Sequence, residues 1–117
     1  MASGIGCIST HVLDLALGKP VRGVAVRLEK QEVSGWRLMT SERTDQDGRC
    51  NQLLPEKDQF TPGSYRLVFD TANYFASQMV DALYPVVEIT FLVKEGESRF
   101  HLPLLLSPNG YTTYRGS

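Results

Sequence analysis

The chain has 117 residues, 42 % of them apolar, and a net charge of −1. That length fits one domain, 1–117, with a core that needs no staples, and the apolar content argues against disorder. Interspersed charges without a basic stripe exclude nucleic acid as the main partner, whereas near-neutrality permits self-association. No apolar run is long enough to span a bilayer, so no membrane partner is expected. The opening Met1-Ala2-Ser3-Gly4-Ile5-Gly6 lacks a basic segment followed by an apolar stretch. Cys7 and Cys50 could form one disulfide, but two cysteines make no disulfide framework. A reducing, cytoplasmic setting is the expectation.

Taken in order, the elements are strands. Ile8, Thr10 and Val12 alternate with Ser9, His11 and Leu13. After Gly18-Lys19-Pro20, Val24, Val26 and Leu28 alternate with Ala25, Arg27 and Glu29. Ser34-Gly35 turns the chain into Trp36, Leu38 and Thr40, and Asp47-Gly48 is a further turn signal. Thr61-Pro62-Gly63 opens Tyr65, Leu67 and Phe69. Asp70 to Val80 breaks the alternation: Thr71 can cap a helix, and Tyr74, Phe75, Gln78 and Met79 fall at helical spacing. Tyr84 to Val93 is rich in strand formers, and Lys94-Glu95-Gly96-Glu97 turns it back into Phe100, Leu102, Leu104 and Leu106. Pro103, inside that strand, lacks a backbone donor and implies an edge, a bulge or a carbonyl-only contact. Ser107-Pro108-Asn109-Gly110 leads into a last strand. Short strands separated by turns predict an all-β sandwich or barrel with one short helix.

The end of the chain is unusual. Tyr111, Thr112, Thr113 and Tyr114 continue a strand-like pattern where terminal residues ordinarily fray. Arg115, Gly116 and Ser117 then add a guanidinium and a hydroxyl.

Both histidines fall on strands, on faces away from the apolar stripes. His11 shares its face with Ser9 and Leu13, and His101 shares its face with Pro103, Leu105 and Ser107. Imidazole is the natural base near neutral pH. Arg49 follows the Asp47-Gly48 turn and could grip a planar anion or carbonyl with its fork of donors. Cys7 and His11 lie about 13 Å apart along a strand, too far for one zinc ion. Asp45-Gln46-Asp47-Gly48 fails as a calcium loop, because Arg43 and Leu54 would occupy its first and last ligand positions. Neither a nucleophile elbow nor a phosphate loop is present. Two imidazoles, an arginine and a polar terminus suit water activation without metal or other cofactor.

The blocks Ser9-Thr10-His11-Val12-Leu13-Asp14, Thr44-Asp45-Gln46-Asp47-Gly48-Arg49-Cys50, Tyr84-Pro85-Val86-Val87-Glu88-Ile89, Phe100-His101-Leu102-Pro103-Leu104 and the terminal Tyr114-Arg115-Gly116-Ser117 resemble the 5-hydroxyisourate hydrolase family. This family is related to the hormone carrier transthyretin, which shares the fold but not this terminus. The resemblance implies a transthyretin-like, two-sheet β-sandwich of about eight strands with one short helix. It implies hydrolysis of 5-hydroxyisourate to 2-oxo-4-hydroxy-4-carboxy-5-ureidoimidazoline in urate degradation. It implies a homotetramer in which sheet edges pair into dimers, with sites in the channel between dimers. Carried onto this chain, His11, Arg49, His101 and Ser117 would be catalytic, and His11, Arg49, Tyr114 and Arg115 would bind substrate. Family members often have Pro-Gly where this chain has Asn51-Gln52, and a second tyrosine where Val86 stands. The rival readings are a carrier of a flat aromatic ligand and a sandwich with no small-molecule site.

Overall fold

The computed structural model describes residues 6–56 and 60–117; the segment 1–5, read for a leader, lies outside them. The described residues form nine strands and one helix. In chain order they are β1 (Cys7–Asp14), β2 (Lys19–Pro20), β3 (Ala25–Glu32), β4 (Gly35–Arg43), β5 (Arg49–Cys50), β6 (Gly63–Asp70), α1 (Ala72–Ser77), β7 (Val86–Val93), β8 (Arg99–Ser107) and β9 (Gly110–Thr113). One sheet runs β2-β1-β8-β9 with β5 also on β1, and the other runs β4-β3-β6-β7. The strands beyond those read from alternation are β2 and β5, each too short to alternate. Both pair antiparallel with β1, β2 at its end and β5 at its middle: Leu13 faces Pro20, and His11 faces Arg49.

Period-two burial places the core between the sheets. Ile8, Val12, Phe100, Leu104 and Leu106 point inward from the first sheet, and Val26, Leu28, Tyr65, Leu67 and Phe69 from the second; all are buried in one cluster. The polar members of β1 and β8 are thereby left on the outer face of the first sheet. Their pairing is parallel, with Ser9 opposite His101 and His11 opposite Pro103. β7 and β9 end their sheets. They are joined at the end of β7 that leads in from the helix: Tyr84 and Tyr111 meet edge to face at 5.2 Å, and Leu83 N–H donates to the Pro108 carbonyl at 2.9 Å.

Pro103 sits in a central strand where the ladder can do without its donor. The β8–β9 register ends at Leu104 opposite Thr113 and resumes only as a bridge from His101 to Gly116. The Pro103 carbonyl accepts the Thr113 hydroxyl at 2.8 Å, so the carbonyl-only contact is the one realised.

The helix is shorter than its periodicity predicts. Thr71 precedes it, but its hydroxyl donates to the Tyr84 carbonyl at 2.8 Å instead of capping a helical N–H. Phe75 is buried, whereas Met79 lies outside the helix at φ 56° and is exposed. The Tyr74 hydroxyl donates to Asp14 Oδ2 at 2.5 Å, fastening the helix to the end of β1.

Gly48 fixes the approach of β5 to β1. Its φ is 77°, and a Cβ there would lie 2.5 Å from the Val12 carbonyl oxygen. Gly48→Ala should therefore destabilise the fold by about 2–3 kcal/mol, through strain and backbone collision together. Chemical denaturation of the variant checks this; an unchanged midpoint would contradict the close approach.

Candidate active site

The site is built on the outer face of the first sheet, where β5, β1 and β8 lie side by side. His11 and Arg49 are directly paired across β1 and β5. The loop before Arg49 is held by Asp45, whose Oδ1 accepts the Asp47 and Arg49 N–H groups, each at 2.9 Å. Those backbone donors, the Arg49 bond foremost, hold the Asp45 carboxyl below its usual range. Asp45 is thus the local organiser of Arg49, a role that sequence reading missed while testing it as a calcium ligand. An Asp two residues before Asp-Gly is the signal that could have shown it.

His11 Nε2 lies 2.9 Å from the Asp47 carbonyl oxygen. A carbonyl only accepts, so Nε2 carries a proton and the neutral ring keeps its lone pair on Nδ1. His101 stands one diagonal step away on β8. Its Nδ1 is 2.8 Å from Ser9 Oγ. Burial pushes its pKa below the ordinary 6.5, and the nearby Arg49 and His11 push in the same direction. The shift favours the neutral ring.

That shift carries a stability consequence. Between the native and the unfolded pKa, the unfolded chain binds more protons. Stability contributed by His101 is present above the unfolded value of 6.5 and is lost as pH falls through the lower native value. Proton NMR titration should place the His101 midpoint below that of an unfolded histidine, and wild type should lose more stability than His101→Gln on acidification. A midpoint above 6.5 would refute the assignment.

The tail closes over this histidine. Gly116 N–H donates to the His101 carbonyl at 2.7 Å, and a Cβ at Gly116 would stand 2.8 Å from His101 Cδ2. Only glycine allows that approach without moving the ring. Ser117, Ser9, Cys7 and His101 together line a cleft of about 30 Å³. Tyr114 is exposed. Arg115, expected at the substrate, is engaged elsewhere. Its guanidinium pairs with Glu97 at 3.0 Å, donates to the Arg99 carbonyl at 2.9 Å and lies 4.1 Å over the Phe100 ring. It anchors the tail to the start of β8 rather than facing the histidines. Ser9 and Glu97 are further residues that sequence reading did not single out.

The structure brings His11, Arg49, His101 and Ser117 to one face. A much larger cavity lies elsewhere: about 430 Å³ between α1 and the segment before β7, lined by Phe75, Met79, Val80, Asp81 and Pro85 among others. It gathers no histidine or arginine, so size does not mark the chemistry here. Both cysteines are free thiols, not a disulfide. Burial pushes the Cys50 thiol up to about 11, which makes it inert. Among the described residues no helix is long and apolar enough to cross a membrane.

Comparison with known proteins agrees with this fold. The profile of the HIUase/Transthyretin family matches residues 8–116. A 5-hydroxyisourate hydrolase from Salmonella typhi is 44 % identical over 117 residues, covering all of this chain and 85 % of its own. The solved 5-hydroxyisourate hydrolase of Klebsiella pneumoniae superimposes with a TM-score of 0.83 at 32 % identity, over 97 % of this chain and all of that one. Transthyretin from Sparus aurata superimposes with a TM-score of 0.85, also at 32 % identity, over 93 % of this chain and 95 % of that one. Overall shape therefore does not separate a hydrolase from transthyretin; the side chains on the outer face must do so.

Proposed function

The chain belongs to the HIUase/Transthyretin family, and from that premise we propose that it hydrolyses 5-hydroxyisourate to 2-oxo-4-hydroxy-4-carboxy-5-ureidoimidazoline, as one transthyretin-like domain. The observation that carries this reading is the gathering of His11, Arg49, His101 and Ser117 on one sheet face, where burial lowers the pKa of His101.

The reaction opens a cyclic amide. Water oxygen bonds to the ring carbonyl carbon, the carbon–nitrogen bond breaks, and the departing nitrogen takes a proton. His101 is the general base, since its pKa is held down and its Nδ1 is already engaged by Ser9. His11 offers its Nδ1 lone pair to a substrate N–H, because its Nε2 is committed to Asp47. Arg49 binds the urate-like oxygens and stabilises the developing oxyanion. The Ser117 hydroxyl orients the water, and Tyr114 covers the flat ring. Arg115 serves by holding the tail in place.

A second copy of the chain completes the site. The cleft beside His101 has room for water but not for a bicyclic ring, so substrate needs a further wall. The free edges of β7 and β9, with exposed Val86, Leu92 and Tyr111, offer pairing surfaces for a dimer. Two dimers meeting on the outer face of the first sheet would make the homotetramer. Two free thiols suit a reducing, cytoplasmic setting.

A transthyretin-like carrier is the second reading, supported by the equal likeness in shape. Supplying a large molar excess of 5-hydroxyisourate separates the two. A hydrolase consumes the whole excess faster than the spontaneous rate; a carrier binds at most a stoichiometric amount and leaves the decay of the remainder unchanged.

A further inference from the structure

Ser9 is the register partner of His101 in the parallel β1–β8 pair, and its Oγ lies 2.8 Å from Nδ1 of that ring. The histidine is gripped from two other directions. Gly116 N–H holds its carbonyl, and Gly116 packs so close that a Cβ there would meet Cδ2 at 2.8 Å. Among the described residues, no carboxylate forms an ion pair with the ring; its side-chain partner is the Ser9 hydroxyl.

The choice of a hydroxyl has a chemical consequence. A hydroxyl can donate or accept, whereas a carboxylate would favour imidazolium and keep the ring protonated. With Oγ accepting, the neutral ring carries its proton on Nδ1 and keeps a free pair on Nε2. When Nε2 takes the proton from water, Nδ1–H goes on donating to the same oxygen, so the new cation forms without any partner having to move.

We propose that Ser9 is a positioning residue for hydrolysis: its Oγ accepts from His101 Nδ1–H, fixing the tautomer that leaves Nε2 as the base. This inference rests on His101 being the general base.

The test compares Ser9→Thr with Ser9→Val, matched in shape and differing in the hydroxyl, beside Ser9→Ala. Hydrogen bonds to a charged group predict that Ser9→Val and Ser9→Ala lose on the order of 10- to 100-fold in kcat, with KM little changed. Ser9→Thr should stay within roughly threefold of wild type, since it retains the acceptor. Without the acceptor, imidazolium is less stable, so the acid limb of the pH–rate profile should move to lower pH in Ser9→Val and Ser9→Ala. Nitrogen NMR of the wild type should show the Nδ1–H tautomer at His101. An Nε2–H tautomer, equal losses in Ser9→Thr and Ser9→Val, or unchanged kcat in Ser9→Val would each overturn the proposal. His101→Gln separates the two layers. If it is inactive while Ser9→Val is fully active, only the role of Ser9 falls; if it is fully active, the base assignment falls and takes Ser9 with it.

Discussion

Replacing His101 by alanine is expected to lower kcat by about 10²–10⁴-fold, the range that a positioned general base contributes. The fold should survive. His101 lies on the outer face of β8, and the inward residues Phe100, Leu102 and Leu104 keep their places in the core. Its backbone carbonyl, which receives Gly116 N–H, also remains. The loss should therefore appear in turnover with little change in thermal midpoint, measured by steady-state kinetics and circular dichroism on the same preparation. Turnover at the wild-type level would remove His101 from the mechanism. A collapse of both activity and stability would make it a structural histidine.

Arg49→Ala should cost about 10²–10³-fold in kcat, the loss typical of removing one donor to a developing oxyanion. The backbone of Arg49 stays in position because the bonds that fix it, Arg49 N–H to Asp45 Oδ1 and Asp45 N–H to the Arg49 carbonyl, involve no guanidinium atom. The side chain is exposed and carries little of the fold. Arg49→Lys should recover only part of the loss, since an ammonium keeps the charge but not the forked donor geometry. Kinetics of both variants decide this. Equal rates for Arg49→Lys and wild type would reduce the role to charge alone, and full activity in Arg49→Ala would remove the oxyanion role. His101 supplies an independent readout: removing a neighbouring cation should raise its NMR titration midpoint.

Much of the sandwich was legible because alternation is a local property. Ile8/Thr10/Val12 and Phe100/Leu102/Leu104/Leu106 declare which side of each strand faces the core. The strand pairing was not legible. β1 and β8 run parallel with Ser9 opposite His101, a contact across 92 residues that no local pattern encodes. β2 and β5 have only two residues each and exist because β1 offers them an edge. The helix was overextended because helical spacing continues to Met79 while the backbone turns out of the helix before it. At the candidate site, His11, Arg49 and His101 were legible as residue types in recognisable blocks. Their neighbours were not: Ser9 meets His101 through register, and Asp45 holds Arg49 through loop hydrogen bonds. Arg115 was assigned by its neighbours in sequence, yet its long side chain reaches Glu97 and Phe100 instead.

We propose that this sheet face opens the 5-hydroxyisourate ring. The most direct measurement follows the ultraviolet absorbance of freshly generated 5-hydroxyisourate with catalytic amounts of the protein and without it. We predict decay accelerated in proportion to protein concentration, with His101→Ala returning it close to the spontaneous rate. Decay in the presence of wild-type protein that matches buffer alone would contradict the account.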